Sequence, residues 1–182
     1  MSYSGTIDGP YLMRQYLNLL SYSDIVNGAT PPATLSKRNV VTGAQTLTMQ
    51  QSGSLCLFNS ATGYNFKLPV ITNENIGAYF DFANTVLNTA TACTITTAAA
   101  TTFIGGGVIV VVDATTPSAT VGPKGFIFNG TTHNKVSMGG SDTTTGGLTG
   151  TWLRLTALDT THWGISGTVF ASGTIATCAT TQ

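Results

Sequence analysis

From about Val40 to the C-terminus the chain is a series of short runs in which apolar and polar residues alternate. The turn-forming residues between them recur roughly every eight to twelve positions. A period of two sends successive side chains to opposite faces of a strand, so each run is a candidate strand with one face to bury. "AQTLTMQQ" sets Thr46, Thr48 and Gln50 against Leu47 and Met49, and "GSLCLFN" follows as a second strand. "YNFKLPV" puts Tyr64, Phe66 and Leu68 on one face, and "GAYFDFAN" puts Tyr79 opposite Phe80 and Phe82. "ACTITTAAATTF" aligns Cys93, Ile95 and Thr97, after which come "GPKGFIFNG", "HNKVSMGG", "TWLRLTAL", "HWGISGTV" and a closing "GTIATCA". No helix-length periodic segment interrupts them. Some ten or eleven such strands predict an all-β domain over 40–182, a jelly-roll-like β-sandwich.

Composition agrees with that class and narrows the function. Charged residues make up 8% of the chain, against the usual ~25%. Much of their place is taken by 34 Thr, beside 21 Gly. Thr packs on a pleated surface through its branched carbon yet keeps a hydroxyl for water. A surface with so little charge resists association weakly, so much of it is expected to be covered by copies of the chain or by a partner. Lys plus Arg and Asp plus Glu both number 7, and only Lys37 and Arg38 are adjacent among the bases. Phosphate recognition needs clustered cations, so nucleic acid is not an expected partner. Cys56, Cys93 and Cys178 form no C-x-x-C pair, and their odd number argues against a disulfide framework. Cys56 and Cys93 are expected to be buried thiols, and Cys178, near the end, to be partly exposed.

"FIGGGVIVVVDA" departs from the alternation. Val108 to Val112 is an unbroken apolar run, which is expected to need cover on both faces. Left bare it would be an aggregation segment. It is therefore predicted as a central or intersubunit strand, with Val108, Val110 and Val112 as interface candidates. The three glycines before it lack the G-x-G-x-x-G spacing and lead into a strand. They mark a bulge or a tight crossing, not a phosphate cradle.

Residues 1–39 are of another kind. Asp8-Gly9-Pro10 is a good helix start and Asn27-Gly28 a good stop. Between them Leu12, Tyr16, Leu19 and Leu20 share a face that Met13 and Leu17 widen. This predicts an amphipathic helical arm that packs on its own domain or docks on another chain, with Tyr11, Leu12, Tyr16, Leu17 and Leu20 as candidate contacts. Pro31-Pro32 makes a stiff connector to the β-domain. "MSYSGTIDGP" has neither the basic nor the apolar region of a secretory signal, and no stretch is long and apolar enough to span a bilayer.

Both tryptophans lie in "GTWLRLTALDTTHWGIS". Trp152, Arg154, Thr156 and Leu158 alternate with Leu153, Leu155 and Ala157, and Asp159-Thr160-Thr161 supplies a turn. The segment reads as a hairpin in which Trp163 falls near Leu158 or Ala157 and Trp152 lies a strand length away. Asp159 and His162 at such a turn are loop caps, not a catalytic pair. His133 stands in another turn, and two such histidines with dispersed cysteines make no zinc spacing. "GGSDTTTGG" around Asp142 lacks a Ca²⁺-loop array. Asn129-Gly130-Thr131 is a turn before it is a glycosylation sequon. Glu74 is the sole Glu, so no paired-carboxylate site is visible. Neither catalysis, cofactor nor metal is expected.

The apolar arm Tyr11–Val26 with Pro31-Pro32, and the closing Gly-x-Trp-x-x-Leu…Trp-x-Ile-x-Gly hairpin in a neutral Thr/Gly-rich chain, resemble the capsid decoration (cement) proteins of tailed bacteriophages. That resemblance implies a virion protein made in the host cytoplasm. It implies a homotrimer at three-fold positions of the shell, with the major capsid protein as partner and no catalytic residues. The alternative expectation is a receptor- or glycan-binding head of a tail fibre or spike.

Overall fold

The computed structural model describes residues 39–112, 123–140, 143–173 and 175–182. The expected arm, with Tyr11, Leu12, Tyr16, Leu17 and Leu20, lies outside them, as do Asp142 and the side chain of Val112. The described chain is built of strands. In chain order they are β1 (Val40–Thr42), β2 (Gln45–Thr46), β3 (Leu55–Phe58), β4 (Asn65–Lys67), β5 (Tyr79–Asn84) and β6 (Cys93–Thr96). Then follow β7 (Phe103–Val112), β8 (Lys124–Asn129), β9 (Lys135–Met138), β10 (Trp152–Ala157), β11 (His162–Ala171) and β12 (Ala179–Thr180). They form a seven-stranded sheet, ordered β1-β3-β5-β10-β11-β7-β8, and a five-stranded sheet, ordered β12-β9-β6-β4-β2. The all-β expectation holds.

The pairing departs from a jelly roll, whose strands run antiparallel. The first six strands alternate between the two sheets, and each pairs in parallel with the strand two before it. Parallel neighbours need a crossover, and here the crossover is the strand laid down in the opposite sheet. Residues 40–96 therefore wind as three stacked coils, and the Thr62–Thr91 bridge between two of the turns is parallel as well. From β8 onward the antiparallel pairings take over, with the β10–β11 hairpin lying between β5 and β7. The β11–β7 pairing is again parallel.

Aromatic rings join the sheets. Phe66 of the smaller sheet packs edge-on against Phe58 of the larger at 5.1 Å between ring centroids, and against Phe82 at 5.7 Å. Tyr64 closes the group at 5.4 Å from Phe58, and its hydroxyl donates to the Leu57 carbonyl. Further along, Trp163 is wholly buried against Phe80. The alternation expected for Cys93, Ile95 and Thr97 and for Leu153, Leu155 and Ala157 is the one observed, since all six face the core.

Four local expectations are corrected. After β2, "TMQQ" does not continue as a strand. Met49–Gln51 forms a 3-10 turn, because the Gln51 side chain turns back to accept from the Thr48 backbone N–H at 2.8 Å. The end of the chain pairs only over Ala179–Thr180, although Ile175 is buried ahead of it. Cys178 is buried, like Cys56 and Cys93, and its carbonyl accepts from the Ser137 backbone N–H at 2.9 Å, which holds it beside β9. Finally, Val108 and Val110 are buried in the chain's own core, so they are not open interface positions. Ile109 between them is 54% exposed on the other face.

The glycines before that run make a tight crossing, as expected. Gly106 has φ +120, and a Cβ there would run into the Ile165 carbonyl oxygen of the paired strand β11. Gly106→Ala is expected to lower the unfolding free energy by at least about 2 kcal/mol, from left-handed backbone strain plus the clash, as read by chemical denaturation. Burial pushes the Cys93 and Cys178 thiols up to about 11. The native chain is therefore expected to leave its cysteines unlabelled by a thiol reagent at pH 8, and all three should react once denatured.

Candidate functional site

The two sheets bury one face each and differ in what the other face shows. Outward residues of the smaller sheet are polar. The Asn65 amide lies 2.9 Å from the Thr94 hydroxyl and 3.1 Å from that of Thr96, and Lys67, Lys135 and Ser137 flank them in register. That face is furnished for water.

The larger sheet presents the opposite. One row crosses it from Leu57 through Ala83, Trp152 and Thr168 to Ile109. The next runs from Val40 through Leu55, Asp81 and Arg154 to Ser166. On the edge strand β8, Ile127 faces the same way. Ile127 is 77% exposed, Val40 53% and Trp152 40%. The open face of the large sheet is thus largely apolar.

At its centre lies an ion pair that the sequence reading did not single out. Arg154 on β10 stands opposite Asp81 on β5, and its fork engages the carboxylate through Nε at 2.7 Å and Nη2 at 2.8 Å. Asp81 is covered (1% side-chain exposure), whereas Arg154 lies over it at 40%. The hydrogen bonds to Asp81 are the chief cause that raises the guanidinium pKa further. The guanidinium also sits 4.5 Å over the Tyr79 ring and 5.7 Å from the Trp152 ring, a cation–π bracket. The available signal was a lone charge in the middle of each of two apolar runs, "YFDFAN" and "WLRL", in a chain so short of charge.

The hairpin pairs as expected, with Ala157 opposite Trp163 and Trp152 opposite Thr168. Its two indoles therefore form no common platform. At the turn, the Asp159 carboxylate accepts from the Thr161 backbone N–H at 2.7 Å and lies 2.8 Å from His162 Nδ1. The Thr161 contact first, and His162 after it, hold the Asp159 carboxyl down at about 2. His162 Nε2 meets the Gly130 carbonyl at 3.1 Å. A triad needs nucleophile and orienting acid on opposite ring nitrogens. Here Asp159 and the Thr161 hydroxyl both lie on Nδ1, and a backbone carbonyl takes the other nitrogen. The group caps the turn and ties it to the loop after β8.

His133 is likewise local: its Nδ1 accepts from the Asn129 backbone N–H at 3.1 Å. The Asn129 side chain accepts from the N–H groups of Thr131, Thr132 and His133, which is the turn expected there. Among the described residues no group of three or more His, Cys, Asp or Glu could hold a metal. No helix among them is long and apolar enough to cross a membrane.

Arg154→Met keeps the aliphatic cover over Asp81 and removes the guanidinium with its two hydrogen bonds to the carboxylate. The expected loss of stability at pH 7 is about 2 kcal/mol, below the ~3–5 kcal/mol of a fully enclosed pair because Arg154 is partly exposed. Chemical denaturation of the two forms at pH 7 reads the loss. No family model matches the chain, and comparison with curated proteins and with solved structures gives no significant match.

Proposed function

We propose that this chain is a structural virion protein that decorates and stabilises the capsid shell of a tailed bacteriophage. It works by burying surface and not by turnover. The observation that supports this reading is the open face of the seven-stranded sheet, where apolar side chains surround a neutralised Arg154–Asp81 pair. An apolar patch of this breadth on a soluble surface marks an interaction site. The chemistry the histidines could offer is spent on turns.

Its mechanism is linkage. A protein that binds the assembled lattice and not its separated subunits adds its binding free energy to the lattice, by about 2.7 kcal/mol at a hundredfold excess over Kd. The partner is the major capsid protein, the place is the outer surface of the shell, and the working unit is a homo-oligomer. A trimer at three-fold positions is what the resemblance to decoration proteins implies.

One observation favours a second reading, the glycan-binding head. Trp152 is 40% exposed with Arg154 beside it, and an exposed indole face can stack on a sugar.

Co-sedimentation with the shells of its own virus separates the two. The structural reading expects the chain to pellet with expanded shells and to stay in solution with unexpanded ones. Indifference to both, together with glycan-array binding that disappears in a folded Trp152→Ala variant, would replace it with the second.

A further inference from the structure

We infer that the outer face of the seven-stranded sheet is covered by a second copy of this chain. The inference rests on the structural reading above and deepens it by naming what occupies the face.

Three features favour a like copy over a partner of different chemistry. The first is charge. The formal charges at the centre of the face, Asp81 and Arg154, cancel within one chain through two hydrogen bonds. A second copy therefore meets a carboxylate and a guanidinium already paired with each other, not a bare like charge. The second is the polar complement. Ser166 and Thr168 stand beside Arg154 and Trp152 in register. A hydroxyl both donates and accepts, so a face bearing hydroxyls can satisfy its own duplicate without opposing like groups.

The third is size and make-up. Seven strands ~4.8 Å apart, with outward side chains over roughly 17 Å of strand, present about 500 Å² per copy. Two copies together bury about 1,000 Å², where specific interfaces begin. The middle of that area holds Tyr79, Trp152 and Arg154, the three residue types that most often dominate interface energies when central and desolvated. Ile109 and Ile127 extend the apolar surface to the edge of the sheet. The outer face of the smaller sheet also bears hydroxyls, but its residues in register there, Asn65, Lys67, Thr94, Thr96, Lys135 and Ser137, include no aromatic or large apolar side chain.

The test is the native mass of the purified full-length chain, by native mass spectrometry and sedimentation at roughly 100 µM, well above the micromolar Kd that interfaces near this size can reach. The expected result is an even multiple of the 18.8 kDa chain, because a face that meets its own duplicate closes in pairs. Ile109→Asp with Ile127→Asp should return it to a single copy, because each added carboxylate stands in the contact. Thr94→Asp with Ser137→Asp, on the opposite face, should leave the multiple intact. Ile127→Lys alone, at the most exposed of these positions, serves if the double variant does not fold. A wild-type chain found as single copies overturns the inference, as does a multiple that survives the open-face substitutions. Shell co-sedimentation is read separately. A multimer that ignores shells removes the capsid reading and leaves this one, and a single copy that binds shells does the reverse.

Discussion

Phe66 packed between Phe58 and Phe82 is the contact on which the rest of the structure depends. Those rings come from successive coils of the parallel half, two in the larger sheet and one in the smaller. The coils have few backbone bonds of their own, because β2 has two residues and β1 and β4 have three each. Strands so short hold together only if their side chains are buried in common, and tilted and edge-on rings at these distances add about 0.5–1.5 kcal/mol per pair beyond the area they cover. Once that cluster is closed, the two inner faces are committed and the two outer faces are left to meet whatever lies outside. The antiparallel half continues the same inner surface through Trp163, Leu155 and Val110.

The contrast between the outer faces then follows from the residues opposite each inward one. Alternation gives the smaller sheet Thr, Asn and Lys outside, and gives the larger sheet Leu, Ile, Val and Trp. A chain so poor in charge has little else with which to keep the larger sheet in water. What charge it places there is folded back on itself, since Arg154 covers Asp81 and lies against Tyr79. A pair arranged in this way gives the face polarity of shape without net charge. That suits a surface meant to be covered.

Much of the fold was legible because strand alternation and turn chemistry are local. Cys93 and Ile95 faced inward as read, and Asp159, Thr161 and His162 closed the hairpin as read. What could not be read was non-local. Whether β1 pairs with β2 or with β3 depends on a partner strand fifteen residues away, from Val40 to Leu55, and no local pattern records whether a pair runs parallel. The run from Val108 was legible on one face for a related reason. Continuous apolarity implied cover on both faces, and within the described chain the Val108 and Val110 side is covered while Ile109 is exposed on the other. The Asp81–Arg154 pair joins residues 73 positions apart, and only their isolation among apolar neighbours hinted at it.

The central claim is that the outer face of the large sheet is covered in the working protein. Oxidative footprinting of the native assembly tests it most directly, since the two tryptophans serve as probe and internal control. Trp163 is wholly buried within one chain, and Trp152 is open unless something lies over it. The account predicts that Trp152 is modified as slowly as Trp163. Rapid modification of Trp152 beside a protected Trp163 would contradict it.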